Sequence, residues 1–305
     1  MSFDDIYSEI LVLILGFLPK KNIDKLTKVN RQFKDVVLYL LTPTIFMNAI
    51  NLSPNWITGN KLISLVKVLK THSTLTKLSI KNNRLGNKGA IVIANALKNT
   101  TLATLNLYEN NIGIKGAIAI ANALETNTTL TKLNLRYNNI CVEGAKALAT
   151  ALKTNTVLYT LNLYNNLIDN EGTKALADAL KTNTTMTSIN LGYNEINYNG
   201  AKLLANALET NTTLITLNLS YNDIGDIGAK AIAKFLKTNK TLLTLSLCSN
   251  DIYDEGAKVI TKALTKNTTL TTLDFKYNNI SYKGIKQIET LKKKEHFTLE
   301  INRMI

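Results

Sequence analysis

Disulfide chemistry has almost nothing to work with in this chain: 305 residues contain two cysteines, Cys141 and Cys248. Two thiols cannot staple a chain of that length, so the fold must be held by its own core, and the pair fits a reducing compartment. Histidine is as scarce, with only His72 and His296. Neither has a cysteine or carboxylate at metal-ligand spacing, which removes the usual metal and acid–base constellations. Long apolar runs are also missing. The best is Ile10 to Leu18, nine residues, where a membrane span needs about 20. It follows Asp4 and Asp5 rather than the basic start of a signal peptide. It reads as part of a buried helix, and the expectation is a soluble, untargeted, cytoplasmic protein with no membrane contact. Proline occurs three times and arginine four, so the basic side is nearly all lysine.

What is present is a 45% apolar composition, normal for a folded protein, and a formal charge of +14. Most of the chain is a repeat. LTKLNLRYNNICVEGAKALATALKTNTV opens at Leu130, and LYTLNLYNNLIDNEGTKALADALKTNTT follows at Leu158. The same register opens at Met186, Leu214, Leu242 and Leu270, and earlier at Leu102 and Leu75. The step is 28 residues, shortened by one after Leu97. A degenerate unit starts at Met47, and Leu299 and Ile301 read as a truncated final strand. Within a unit, L-x-x-L-x-L alternates with period two and predicts a short strand buried on one side. The asparagine that follows (Asn83, Asn110, Asn138, Asn166, Asn194, Asn222, Asn250, Asn278) recurs in each regular unit. Stacked copies of its amide can satisfy loop backbone. The glycine at Gly89, Gly116, Gly144, Gly172, Gly200, Gly228, Gly256 and Gly284 is expected to supply a tight turn. An alanine-rich amphipathic helix follows.

This unit resembles the leucine-rich repeat, in its long ribonuclease-inhibitor form, over roughly residues 47 to 301. The resemblance implies a right-handed α/β solenoid. Strands stack at about 4.8 Å and helices are about 10 Å across, so the stack bends into a horseshoe with the parallel sheet inside. Residues 1–43 do not follow the repeat. They are assigned to a small all-α segment, and 44–305 to the repeat domain: a degenerate first unit 47–74, regular units 75–297 and the truncated strand. Ile6, Glu9, Ile10, Ile14, Leu18, Pro19, Ile23, Leu26, Val29, Arg31 and Phe33 lie on a pattern that resembles an F-box, with Tyr7 in place of the usual early proline. That resemblance implies a substrate adaptor, in which these helices dock a Skp-type subunit of a cullin-based SCF ubiquitin ligase. The alternative is a stand-alone scaffold or inhibitor whose first helices only cap the open solenoid.

The target would lie on the sheet face, where solvent-facing strand columns vary inside a regular frame. The candidates are Trp56, Lys81, Arg84, Tyr108, Arg136, Tyr137, Tyr164, Tyr193, Glu195, Tyr221, Asp223, Asp251 and Tyr277. Tyrosine, tryptophan and arginine are the residue types enriched at binding hot spots. The neighbouring column Asn51, Asn106, Asn134, Asn162, Asn190 and Asn218 is uniform and reads as structure. The lysines Lys146, Lys174, Lys202, Lys230 and Lys258 read as a solvated stripe on the helical side. No catalytic residue, cofactor or metal site is expected, and no enzyme; Cys248 reads as a structural thiol.

The charge is not uniform. Residues 44–100 hold eight basic and no acidic residues, whereas 101–280 hold sixteen and fourteen. The excess therefore sits beside the F-box-like segment, where it favours the acidic Skp-type adaptor over nucleic acid. A monomer is expected outside the complex. The lysine and asparagine bias suggests an AT-rich genome. If that genome is bacterial or viral, the chain would be a host-directed effector working in the host cytoplasm.

Overall fold

The computed structural model describes residues 49–302 apart from 53–61, 64, 67, 68 and 70–73. The F-box-like residues and Trp56 lie outside the described residues.

Each unit contributes one three-residue strand. They are β1 (Ala49–Asn51), β2 (Lys77–Ser79), β3 (Thr104–Asn106), β4 (Lys132–Asn134), β5 (Thr160–Asn162), β6 (Ser188–Asn190), β7 (Thr216–Asn218), β8 (Thr244–Ser246), β9 (Thr272–Asp274) and β10 (Thr298–Glu300). They form one parallel sheet in chain order. The middle residue of each is stacked on its neighbour's: Ile50 on Leu78, Leu78 on Leu105, and so on to Leu273 on Leu299. From Leu78 to Leu273 these side chains are at most 1% exposed, and burying each stabilises the fold by about 1.5–3 kcal/mol. The flanking residues of the same strands face the other way, as alternation requires.

The return path in each regular unit is a helix: α1 (Gly86–Leu97), α2 (Ile114–Leu124), α3 (Cys141–Thr154), α4 (Asp169–Leu180), α5 (Tyr198–Leu208), α6 (Gly225–Leu236), α7 (Asp254–Leu264) and α8 (Tyr282–Glu289). A 3₁₀ turn, Thr290–Lys293, follows α8 and leads to β10. Each crossover joins adjacent parallel strands, which fixes its right hand. The result is the α/β solenoid, with the leucines and alanines of neighbouring units merged in one continuous core. In the degenerate first unit Leu62, Leu65 and Leu69 join that core.

The repeated glycine does not supply the turn expected of it. Among the described residues, positive φ at glycine occurs only at Gly86 and Gly225, which are different positions of the unit. The repeated glycine is buried in the first turn of the helix, as at Gly172. A Cβ there would lie 2.6 Å from Ile168 Cγ2 and 3.0 Å from Ala145 Cβ of the preceding unit. The position is empty because helix and neighbouring unit need the space.

Candidate functional site

Three polar ladders hold the loops and leave one face of the sheet free for other work. The first is the asparagine at the ninth position of the unit, buried or nearly so. Asn138 shows its valences. Its Oδ1 accepts from the Asn110 and Ile112 backbone N–H groups of the preceding unit, at 3.1 and 2.9 Å. Its Nδ2 donates to the carbonyls of Leu107 and Leu135, at 3.0 and 2.8 Å. The stacked amides do what the sequence predicts. At two junctions the pattern changes: the Asn138 and Asn222 N–H groups donate to the Asn165 and Ser249 carbonyls instead. There Asn166 Oδ1 and Asn250 Oδ1 are buried without a partner. The uniform column on the sheet is structural as well. Asn106, Asn134, Asn162, Asn190 and Asn218 accept from the N–H two residues on, closing the strand end.

Sequence reasoning misses the second ladder, at Asn127, Asn155, Asn183, Asn211, Asn239 and Asn267, where each helix returns to its strand. Asn155 Oδ1 accepts from the Val157 and Leu158 N–H groups at 3.0 and 2.8 Å, and its Nδ2 donates to Leu124 O at 2.7 Å. After the last of these, Lys294 takes over: its ammonium donates to Leu264 O and Asn267 O at 2.9 and 2.6 Å. Burial lowers its pKa. The T-N-T-T-L string is the signal that identifies this ladder.

The third ladder runs between helices. Asn87, Asn170, Asp226 and Asp254 sit in the first turn of one helix, and each side chain caps the start of the next. Asn87 Oδ1 accepts from the Gly113 and Gly116 N–H groups at 2.9 and 2.8 Å. Asp226 Oδ1 accepts from Tyr253 and Gly256 N–H at 2.8 and 2.9 Å. Where such a cap exists, the residue before the helix is extended: Gly113, Asn197, Tyr253 and Ser281. Where the same position holds Ile114, Val142 or Tyr198, the next unit's lead-in residue is left-handed instead: Cys141, Asp169 and Gly225.

The sheet face differs in kind. The eighth residue of every regular unit is left-handed: Asn82, Glu109, Tyr137, Asn165, Tyr193, Tyr221, Ser249 and Tyr277, with φ between 52° and 57°. Asparagine suits that conformation; a bulky tyrosine does not, and the crowding of Cβ costs about 1–2 kcal/mol. Tyrosine nonetheless occupies four of these positions. Backbone strain of this sort collects at functional sites.

The tyrosines also meet. Ring centroids are 5.5 Å apart for Tyr108 and Tyr137, 5.6 Å for Tyr137 and Tyr164, and 6.0 Å for Tyr164 and Tyr193. Tyr221 closes a triangle with Tyr164 and Tyr193, at 6.4 and 6.2 Å. The Arg136 guanidinium lies over Tyr164, Tyr137 and Tyr108, with its carbon 4.3, 4.9 and 5.9 Å from the centroids. Such contacts hold the side chains in place before anything binds. Gly192 contributes by its lack of a side chain, because a Cβ would stand 2.7 Å from Tyr164 Cδ2. Burial raises the pKa of Tyr164, and burial with a hydrogen bond from the phenol to Glu109 raises that of Tyr108. Both phenols are neutral donors at ordinary pH.

Of the residues expected on this face, the structure joins Tyr108, Arg136, Tyr137, Tyr164, Tyr193 and Tyr221 in one contiguous strip. Lys81 and Arg84 are exposed at its first end, and Glu195, Asp223 and Asp251 beyond its centre. Tyr277 is 63% exposed and stands apart from the strip. Cys248 is buried, which raises its thiol pKa and works against nucleophilic use. The lysine stripe is exposed on the helices; Lys146 pairs with Glu143 at 2.8 Å, a surface contact of small energetic weight. Among the described residues no group of three His, Cys, Asp or Glu is placed to hold a metal. No helix there is long and apolar enough to cross a membrane.

A family model described as Leucine Rich repeat matches residues 71–94, 98–121, 126–149, 182–205, 210–233, 238–260 and 266–288. A search of curated proteins gave no match. Among solved structures, the chain is similar to actin-binding site 2 of leiomodin-1, with 25% identity over 47% of this chain and 84% of that one, at a TM-score of 0.40. It is similar also to the C-terminal domain of tropomodulin from Caenorhabditis elegans, with 15% identity over 49% of this chain and 90% of that one, at a TM-score of 0.42.

Proposed function

The chain belongs to the leucine-rich repeat proteins, and on that premise we propose that it is a binding adaptor. The tyrosine-lined sheet face holds a target protein, while residues 1–43 dock a Skp-type subunit of a cullin-based ubiquitin ligase. The face is supported above all by one observation: tyrosines held in left-handed backbone, where the fold alone favours asparagine or glycine. The docking half rests on the F-box-like spacing of Ile6, Ile10, Ile14, Leu18, Ile23, Leu26 and Phe33 and on the basic run beside it. No bond is made or broken by this chain. Its work is proximity, raising the local concentration of target at the ligase in the cytoplasm of the cell it acts in.

Calorimetry of the full chain against a Skp-type adaptor tests the docking half. Binding is expected, and Leu18→Asp or Ile10→Asp should abolish it with the circular dichroism of the repeats unchanged. No heat of binding from the folded parent protein would refute the ligase role. For the face, Tyr193→Asp and Tyr221→Asp should each lower recovery of a captured target at least tenfold. Unchanged recovery would move the target site elsewhere.

A further inference from the structure

Charge is uneven along the sheet face: Glu109, at the basic end, is engaged by the Tyr108 phenol, and Lys276, at the acidic end, by Glu300. Before the tyrosine strip, on the unit opening at Leu75, stand Lys77, Lys81 and Arg84; beyond its centre, on those opening at Met186, Leu214 and Leu242, stand Glu195, Asp223 and Asp251. All six are exposed. Asp251 only accepts an amide hydrogen bond from Asn279, at 3.1 Å, and none of the six is in an ion pair among the described residues. By contrast Lys276, farther along the same face, is tied to Glu300 at 2.6 Å. The charges flanking the strip are therefore unspent, of opposite sign, and separated by a pre-ordered aromatic floor.

Resting on the reading of this face as the target site, we infer that it takes an extended segment of another protein whose charge is segregated. Acidic residues lie at one end, basic residues at the other, and flat apolar residues such as proline between them. The acidic end lies over Lys77, Lys81 and Arg84, and the basic end over Glu195, Asp223 and Asp251. Geometry sets the length. Six strand spacings of about 4.8 Å separate the outer units, about 29 Å in all. A polyproline-type segment rises about 3.1 Å per residue, so about nine or ten residues span the distance. Proline-rich segments dock on aromatic surfaces because their extended form costs little entropy to hold. The charge order fixes where the segment lies along the face and excludes segments of one sign.

The test uses the full chain and two labelled peptides of one composition, read by fluorescence anisotropy. The first has three glutamates, four prolines and three lysines in that order. The second has the same prolines flanked by alternating glutamate and lysine. The segregated peptide should bind at least tenfold more tightly. Equal affinity, or no binding by either, overturns the inference. Lys77→Glu, Lys81→Glu and Arg84→Glu combined should remove the preference with circular dichroism unchanged; retention of the preference would also overturn it. A captured target lost on Tyr193→Asp but indifferent to that triple change would overturn the charge rule and leave the face as the target site. One indifferent to both sets of changes would remove the face itself.

Discussion

Tyr137 and Asn138 are neighbours in the chain and opposites in the molecule. Asn138 is buried, bonds to two units and has the same identity at its place in every regular unit. Tyr137 is exposed, sits in a backbone conformation it does not favour, and its place is shared among tyrosine, asparagine, glutamate and serine from unit to unit. One position is bonded into the solenoid and the next points outward from it. The difference teaches where a repeat protein can vary: one residue away from what it cannot change.

The contrast can be broken from the frame side. Asn138→Ala would leave the Asn110 and Ile112 N–H groups unpaired in the core. At about 1–3 kcal/mol for each buried group, a loss of about 3 kcal/mol is expected in urea denaturation, against nearly none for Tyr137→Ala. Gly172→Ala should cost about 1–3 kcal/mol by overpacking Ile168 and Ala145. The same change at Gly86 or Gly225 would be resisted by backbone alone, since nothing lies within 4 Å of a Cβ there. Asp226→Ala removes the cap on α7 and should cost about 1 kcal/mol, with amide exchange of Gly256 rising most.

From the face side the sign reverses. Tyr277→Asn places a residue tolerant of left-handed backbone at a site where the ring has no ring neighbour among the described residues. A gain of about 1 kcal/mol is expected by denaturation. A loss instead would show that Tyr277 serves the frame. The smallest effect concerns pH. Hydrogen bonds from the Ser281 hydroxyl and N–H hold Asp254 below its ordinary 3.8. Because the folded pKa is the depressed one, the cap is complete above 3.8 and is lost as pH falls below it. Ser281 amide exchange should rise only in that acid range, and the Ser281→Ala variant should lose much of the dependence.

Much of the frame is legible in the residues. The leucine spacing predicts each strand, and the asparagine at the ninth position predicts its own ladder. The sheet columns identify Tyr108, Arg136, Tyr137, Tyr164, Tyr193 and Tyr221 before their rings are seen to touch. The glycine is misread because a missing side chain can serve either dihedral freedom or space, and a string of letters does not separate the two. The helix-to-helix caps escape notice because Asn87, Asn170, Asp226 and Asp254 alternate with Ile114, Val142 and Tyr198. The column looks irregular until each residue is matched to the backbone of the unit after it. Gly192 gives no sign that its purpose is to seat Tyr164, because that contact crosses units.

The helix-to-helix caps make the order of units matter. A unit carrying Asn or Asp in its first helical turn is followed by an extended lead-in, and one carrying Ile, Val or Tyr by a left-handed one. Loss of the unit opening at Leu130 would join Ile114 to the left-handed lead-in at Asp169, a pairing already in use. Loss of the unit opening at Leu158 would set Val142 before the extended lead-in at Asn197 and remove the Asn170 contacts to the Asn197 and Gly200 N–H groups, leaving that helix start only the bond from the Asn199 N–H to Asn197 Oδ1. The seams between whole repeats are thus not interchangeable, although all but the one after Leu97 keep the 28-residue step between regular units.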